Sequence, residues 1–144
     1  MENWPFKLEK MSSFKSHEVI LNKEQKVIFN FIEDFTNFSH LIPESVNDLK
    51  LSRDKCSFSI NGMPPIHLLI TERIKHKKVS MGSDGGKMPF EMSCHIDFVD
   101  TNRSKVCFTF YIELNGMMKM MVQKPLQNFL NLLAQNLEKL ENQL

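Results

Sequence analysis

Four methionines stand close together near the start of the last apolar segment of the chain, at positions 117, 118, 120 and 121. Thioethers are soft ligands, so such a cluster could bind Cu(I). Ordinary packing is favoured over a copper site, because methionine side chains are flexible and fill irregular gaps. A third interpretation is that Met118 and Met121 line a cavity and adapt to apolar ligands of several shapes, with Met117 and Met120 nearer its mouth.

The histidines and cysteines lack the spacing that metal sites require. The five histidines show no helical HxxxH arrangement and no neighbouring cysteine pair. Cys56, Cys94 and Cys107 stand singly within apolar runs, which is typical of reduced core thiols in a cytosolic protein. The sequence therefore predicts no metal and no cofactor, and a cytoplasmic location.

His17 is the histidine with a potential site role, because the phase of its strand is ambiguous. If Val19 and Leu21 face the core, strand alternation turns His17 inward as well. There it could orient the head of a ligand or act as an acid or base, although an exposed or core-satisfied histidine is the commoner outcome. With the opposite phase, Glu18 takes this place. We assign no catalytic residue.

Length and charge limit the function further. The chain has 144 residues, enough for one domain, and 18 basic side chains nearly balance 17 acidic ones. Nucleic-acid binders normally carry a basic field, so a nucleic-acid partner is not expected. No apolar run approaches the roughly 20 residues of a spanning helix, so integral membrane association is not expected either.

The amino terminus is predicted to be an appendage. Residues 1–12 form an extension that we expect to be loosely held, and residues 13–144 form a single domain. No repeat, low-complexity tract or linker divides that domain.

Periodicity predicts the elements of this domain. A strand covers residues 14–21, and Asn22, with Gln25 three residues later, is a candidate cap for a helix that runs to about Glu33. Asp34 opens a second short helix, which Pro43 stops. From Val46 the apolar period becomes two, and six strands follow.

The last strand leads into one long helix. Alternate apolar residues from Val106 to Leu114 are followed by Asn115-Gly116 and then by an apolar stripe at helical spacing. Pro125 lies inside this stripe and is expected to kink the helix. A kinked helix can follow the curvature of a sheet.

Several segments resemble the START-like, or SRPBCC, superfamily, and in particular its small members common in Bacteroidetes. The segments that carry the resemblance are residues 28–35, 37–38, 41–44, 56–60, 118–121 and 124–130. The match extends over about residues 13–140. It implies an α+β helix-grip fold, in which a curved seven-stranded antiparallel sheet wraps a long C-terminal helix and two short helices follow the first strand.

The resemblance also implies a function class, since the superfamily binds lipids, sterols and polyketides, and some members are enzymes. We predict a module that holds a small hydrophobic or amphipathic ligand between the sheet and the C-terminal helix. The predicted wall comprises the inward-facing bulky residues and one histidine: Phe58, Ile60, Leu68, Met92, Cys94, Phe108, Phe110, Met118, Met121, Val122, Phe129 and His17.

Three alternatives stay open at this stage. The twelve phenylalanines could fill the space completely and leave a solid core. The chain could instead be a cyclase or hydrolase that uses the same cavity, with His17 or Glu18 as its polar group. It could also be an interaction domain that contacts another protein through residues 61–65. An exposed sheet edge allows a homodimer.

Overall fold

A computed structural model describes residues 11–60, 63–85 and 89–144. The strands in this part of the chain are β1 Met11–Lys15, β2 Val19–Leu21, β3 Asn47–Leu51, β4 Lys55–Ser59, β5 Ile66–Ile74, β6 Lys78–Ser83, β7 Phe90–Asp100 and β8 Arg103–Glu113. The helices are α1 Gln25–Ile32 and α2 Gly116–Lys139, with short 3-10 helices at Phe35–His40 and Glu141–Gln143.

The strands form one antiparallel sheet in the order β1-β8-β7-β6-β5-β4-β3, and β2 also pairs with β8. Helix α2 packs across this sheet, so the predicted α+β, helix-grip architecture is confirmed. Among the described residues, the sheet has eight strands instead of the predicted seven. The difference arises because the first predicted strand is divided into β1 and β2.

Ser16 causes this division. Its backbone N–H donates to the Phe108 carbonyl at 2.8 Å, and its hydroxyl oxygen accepts the Phe108 N–H at 2.9 Å. The side chain thus replaces part of the backbone ladder, and residues 16–18 lie outside any strand. Val19 and Leu21 are buried, which settles the phase that the sequence left open.

The two helical segments after β2 differ in how their N-termini are capped. Glu24, not Asn22, is the N-cap residue of α1, and its side chain makes no capping hydrogen bond. Gln25 does not complete a capping box, because its side-chain amide donates to the Ile96 carbonyl at 2.9 Å. Asp34 caps the following 3-10 helix by accepting the Thr36 N–H at 2.9 Å, as the sequence indicates.

The core lies between the inner face of the sheet and α2. From the helix, the buried residues are Val122, Leu126, Phe129, Leu130, Leu133, Ala134 and Leu137. From the sheet, alternate residues of β7 and β8 meet them, and Phe58 of β4 packs on Phe129 with ring centroids 5.2 Å apart. Helix α2 continues through Pro125 as one element.

Two chain boundaries bear on the predictions. Strand β1 begins at Met11, so the last two residues of the predicted extension are strand residues, and residues 1–10 lie outside the described part of the chain. At the β6–β7 connection, Gly85 has a φ of 78°, which glycine adopts without the steric cost of a side chain. Among the described residues, no helix is both long and apolar enough to span a bilayer.

Candidate functional site

An apolar cavity of about 460 Å³ lies at the end of the sheet where α2 begins. Three stretches of chain meet there: the residues leading into β5, the facing ends of β7 and β8, and the first turn of α2. The described lining residues are Met63, Pro64, Pro65, Ile66, His67, Gly85, Phe90, Phe110, Ile112 and Met118.

The cavity has a buried floor and an open rim. Ile66, Phe110 and Ile112 form the floor, and each exposes no more than 4% of its surface. The rim includes Phe90 and Met118, which are half-buried, and the neighbouring prolines are exposed. A molecule entering from solvent would therefore meet apolar surface from the rim to the floor.

Local sequence explains why the cavity forms at this end. Phe90 pairs with Ile112 in the sheet, and its ring stacks on Phe110 at a centroid distance of 5.1 Å. Asn115 then caps α2 by accepting the Met118 N–H at 2.9 Å. The cap starts the helix within a few residues of β8, and its first turn overhangs the strand ends.

The structure places only two of the predicted wall residues in this cavity, Phe110 and Met118. Ile60 and Phe129 line a smaller pocket of about 250 Å³ beside Pro125, and Leu68 lines another of about 230 Å³. The remaining inward-facing residues are buried in the core: Phe58, Met92, Cys94, Phe108 and Val122.

Two predicted wall residues face solvent instead. Met121 is 63% exposed, because it lies about 100° around the helix from the buried Val122. His17 is exposed although Val19 and Leu21 face inward, since the break at residues 16–18 interrupts the alternation. Its backbone N–H donates to Asn131, and the neighbouring Glu18 pairs with Lys15 and Lys105.

Sequence reasoning missed the rim. The sequence assigns residues 61–65 to a possible protein contact, of which residues 61 and 62 lie outside the described part of the chain, and the predicted wall includes neither Phe90 nor Ile112. The position of Phe90 and Ile112 is the signal that could have identified them. Both lie at the strand ends nearest the start of α2, where only the first turn of the helix covers the sheet and space remains.

The described lining of the cavity carries little charge. His67 is the one titratable residue among its described lining residues. Nearby thiols behave as apolar filling, because burial raises the pKa of Cys56 to about 12 and raises that of Cys94 as well. Within residues 11–60, 63–85 and 89–144, no three His, Cys, Asp or Glu side chains are grouped so as to hold a metal ion.

The outer face of the sheet is polar but closely packed. Ser80 and Ser93 are buried there, with their hydroxyl oxygens 3.0 Å apart. His95 forms a hydrogen bond with Thr109 over 3.1 Å, and desolvation, followed by the charge of Lys78, lowers its pKa. This row contacts no described cavity, so we regard it as structural.

Comparison with known proteins gives information about the fold. No protein-family model matches the chain, and no curated protein matches it significantly. Solved structures do match. A START superfamily protein of Mycobacterium smegmatis is 13% identical, with a TM-score of 0.64 over 92% of this chain and 97% of that one.

The match extends to other solved structures of the same architecture. Norcoclaurine synthase of Thalictrum flavum, in complex with dopamine and hydroxybenzaldehyde, is 10% identical, with a TM-score of 0.68 over 92% of this chain and 87% of that one. A protein of Thermus thermophilus is 16% identical, with a TM-score of 0.68 over 89% of this chain and 95% of that one. The chain has the START-like, helix-grip fold. At these identities the likeness establishes the fold alone.

Proposed function

We propose that the protein is a binding module that holds a small hydrophobic or amphipathic molecule, such as a lipid or a polyketide, in the cavity at the start of α2. One observation carries the proposal: apolar side chains form both the floor and the rim of a space of about 460 Å³. This volume lies within the range of roughly 300–1,000 Å³ that small-molecule sites occupy.

The proposed ligand therefore sits at the end of the sheet rather than along the middle of α2. Its apolar part rests on Phe110 and Ile112, and His67 is the titratable residue among the described lining residues. The START-like fold supports this proposal because neighbours of this fold include a synthase solved with small aromatic molecules.

A binding titration with a neutral apolar probe, N-phenyl-1-naphthylamine, tests the proposal. Ile112→Phe places a larger side chain on the cavity floor and should weaken probe binding at least tenfold. Ile74→Phe makes the same change at a 41% exposed position at the opposite end of the sheet and should leave binding unchanged. Met118→Trp at the rim provides a second blocking variant should the floor variant fail to fold.

Equal probe affinity in the wild type, both blocking variants and the control would contradict the proposal. Native mass spectrometry of the protein purified from its own cells adds an independent measurement. Extra mass that disappears on denaturation, and that Ile112→Phe lowers, is the expected result.

The fold also allows a cyclase or hydrolase activity in the same cavity, and the matched structures include those of a synthase. His17 and Glu18 do not line this cavity, which leaves His67 as the group to test. Turnover of an ester or polyketide substrate that His67→Gln abolishes while probe binding persists would favour the enzyme.

The other predictions made from the sequence concern family, location, domain bounds and partners, and we retain them as part of the proposal. Membership of the SRPBCC superfamily and of its small Bacteroidetes branch and a cytoplasmic location rest on the sequence, as does a separate extension over residues 1–12, of which residues 11 and 12 belong to β1. A homodimer would use a sheet edge, β3 or β1, since these are the ends of the strand order. A protein partner at the predicted contact, residues 61–65, would compete with the probe, because residues 63–65 line the cavity.

A further inference from the structure

The first two turns of α2 present apolar side chains to solvent. Met117, Met120 and Met121 are 76%, 83% and 63% exposed, and we call them the methionine patch. With 3.6 residues per turn they share one side of the helix, opposite the stripe centred on Val122 and Phe129. The solvent-facing side of a helix is normally polar, so an apolar side is unusual there. These methionines do not pack in the core.

The patch is confined to these two turns. Farther along the same side of α2, its place is taken by Lys124, Asn128 and Gln135, which are all exposed. The apolar stretch therefore marks one end of the helix. It is the end where Met118, on the same turn as Met117, lines the apolar cavity.

Two lysines flank the Met120 side of the patch. Lys119 and Lys124 are exposed, form no salt bridge among the described residues, and line a groove of about 600 Å³ between α2 and β1 together with Met120 and Gln123. No carboxylate occurs on α2 before Glu138. The N-terminal end of the helix dipole adds to the same positive potential.

Apolar side chains interleaved with lysines, without carboxylates, are the pattern of a helix that lies at a lipid interface. A protein partner fits less well, because three methionine side chains offer much less than the roughly 800 Å² that each partner buries in a standard interface. Anionic lipid headgroups would satisfy the lysines, and the acyl region would receive the methionines.

We propose that the methionine patch, with Lys119 and Lys124, docks the protein peripherally on an anionic lipid bilayer. Docking at this end brings the rim of the cavity to the lipid surface. The docking itself does not depend on whether the cavity holds a ligand.

Flotation with vesicles tests the proposal. The full chain should float with vesicles of phosphatidylcholine containing phosphatidylglycerol, float weakly with phosphatidylcholine alone, and detach as salt concentration rises. Changing Met117, Met120 and Met121 together to Gln should abolish flotation. The matched control changes Ile74, Phe98 and Val99 to Gln, which are exposed apolar residues at the opposite end of the sheet, and should retain it.

The charge contribution has its own pair of variants. Lys119→Gln with Lys124→Gln should weaken binding to the anionic vesicles by roughly fivefold per lysine. Lys75→Gln with Lys77→Gln removes the same charge at the β5–β6 turn and should have little effect. All substituted residues are exposed, so unchanged melting temperatures should confirm that each variant folds.

Three outcomes would overturn the proposal: no flotation with either vesicle, equal loss in the patch variant and its control, or a concentration-dependent dimer that the patch variant abolishes. Ile112→Phe separates this inference from the proposed function. It should block the apolar probe and leave flotation intact, so failure of one does not imply failure of the other.

Discussion

The middle of the interface between the sheet and α2 is built differently from the end where α2 begins. In the middle, Phe58 and Phe108 of the sheet meet Phe129 and Leu133 of the helix, and each is at most 4% exposed. At the end where α2 begins, the same sheet face is met by one helical turn and by exposed prolines, and a cavity remains. A helix-grip fold can therefore be closely packed along the middle of its helix and still have a pocket at one end.

Thiol reactivity should reveal the largest difference between these regions. Cys94 lies in the closed middle, fully buried with a raised pKa, so alkylation requires the protein to open. A thiol introduced by Met118→Cys stands on the rim of the cavity. We expect iodoacetamide to modify it at least about a hundredfold faster than Cys94.

Peptide mapping by mass spectrometry measures both rates in one sample, and the rates should converge in denaturant. Similar alkylation rates for the two thiols in the native protein would mean that the middle of the interface between the sheet and α2 is as accessible as the cavity.

Deletion of an aromatic ring should separate the two regions by stability. Phe108→Ala empties a fully buried site and should cost about 3–5 kcal/mol of unfolding free energy. Phe90→Ala removes a half-buried rim ring and should cost about 1–2 kcal/mol, mainly from its stacking on Phe110 and its partial burial. Urea unfolding measures both, and equal costs would remove the distinction between core and rim.

Enlarging a side chain gives a sharper test of available space. Phe108→Trp overpacks the middle and should lower the unfolding free energy by about 1–3 kcal/mol. Ile112→Phe points its added atoms into the cavity and should change the unfolding free energy by less than about 1 kcal/mol. A larger loss for Ile112→Phe than for Phe108→Trp in the same unfolding series would place the empty space elsewhere.

The smallest effect concerns the outer face behind the solid middle. Burial lowers the pKa of His95 below its usual 6.5, so the unfolded chain binds its proton more readily. Its contribution therefore reduces stability as pH falls below about 6.5, and the loss ends once the folded pKa is passed. Lys78 and Lys15 strengthen this shift, and Asp97 opposes it.

Glu91 adds a pH dependence of its own, because burial raises its pKa and gives stability the opposite slope at lower pH. Both the wild type and His95→Gln contain Glu91, so the difference between their unfolding free energies isolates the contribution of His95. Chemical unfolding from pH 7.5 to 5 should show a difference of less than about 1 kcal/mol. A wild-type advantage over His95→Gln that grows as pH falls would contradict the assigned direction of the shift.

The strand pattern was predictable where alternation was uninterrupted. Met92, Cys94 and Ile96 of β7, and Phe108 and Phe110 of β8, face the core as their spacing indicates, since side chains in a regular strand alternate between faces. The same rule was wrong for His17. The Ser16 hydroxyl oxygen accepts the Phe108 N–H in place of a backbone acceptor, and no periodicity in the sequence predicts this hydrogen bond.

The sequence alone determined the order of elements and the inner face of the sheet, because these follow from the period of apolar residues and from turn residues, and its resemblance to START-like proteins implied the helix-grip architecture. Only the tertiary structure decided where that apolar face is covered and where it is left open. Met118 and Met121 look alike in the sequence, but one lines the cavity and the other faces solvent. Their difference depends on the rotation of α2 over the sheet, which long-range packing fixes.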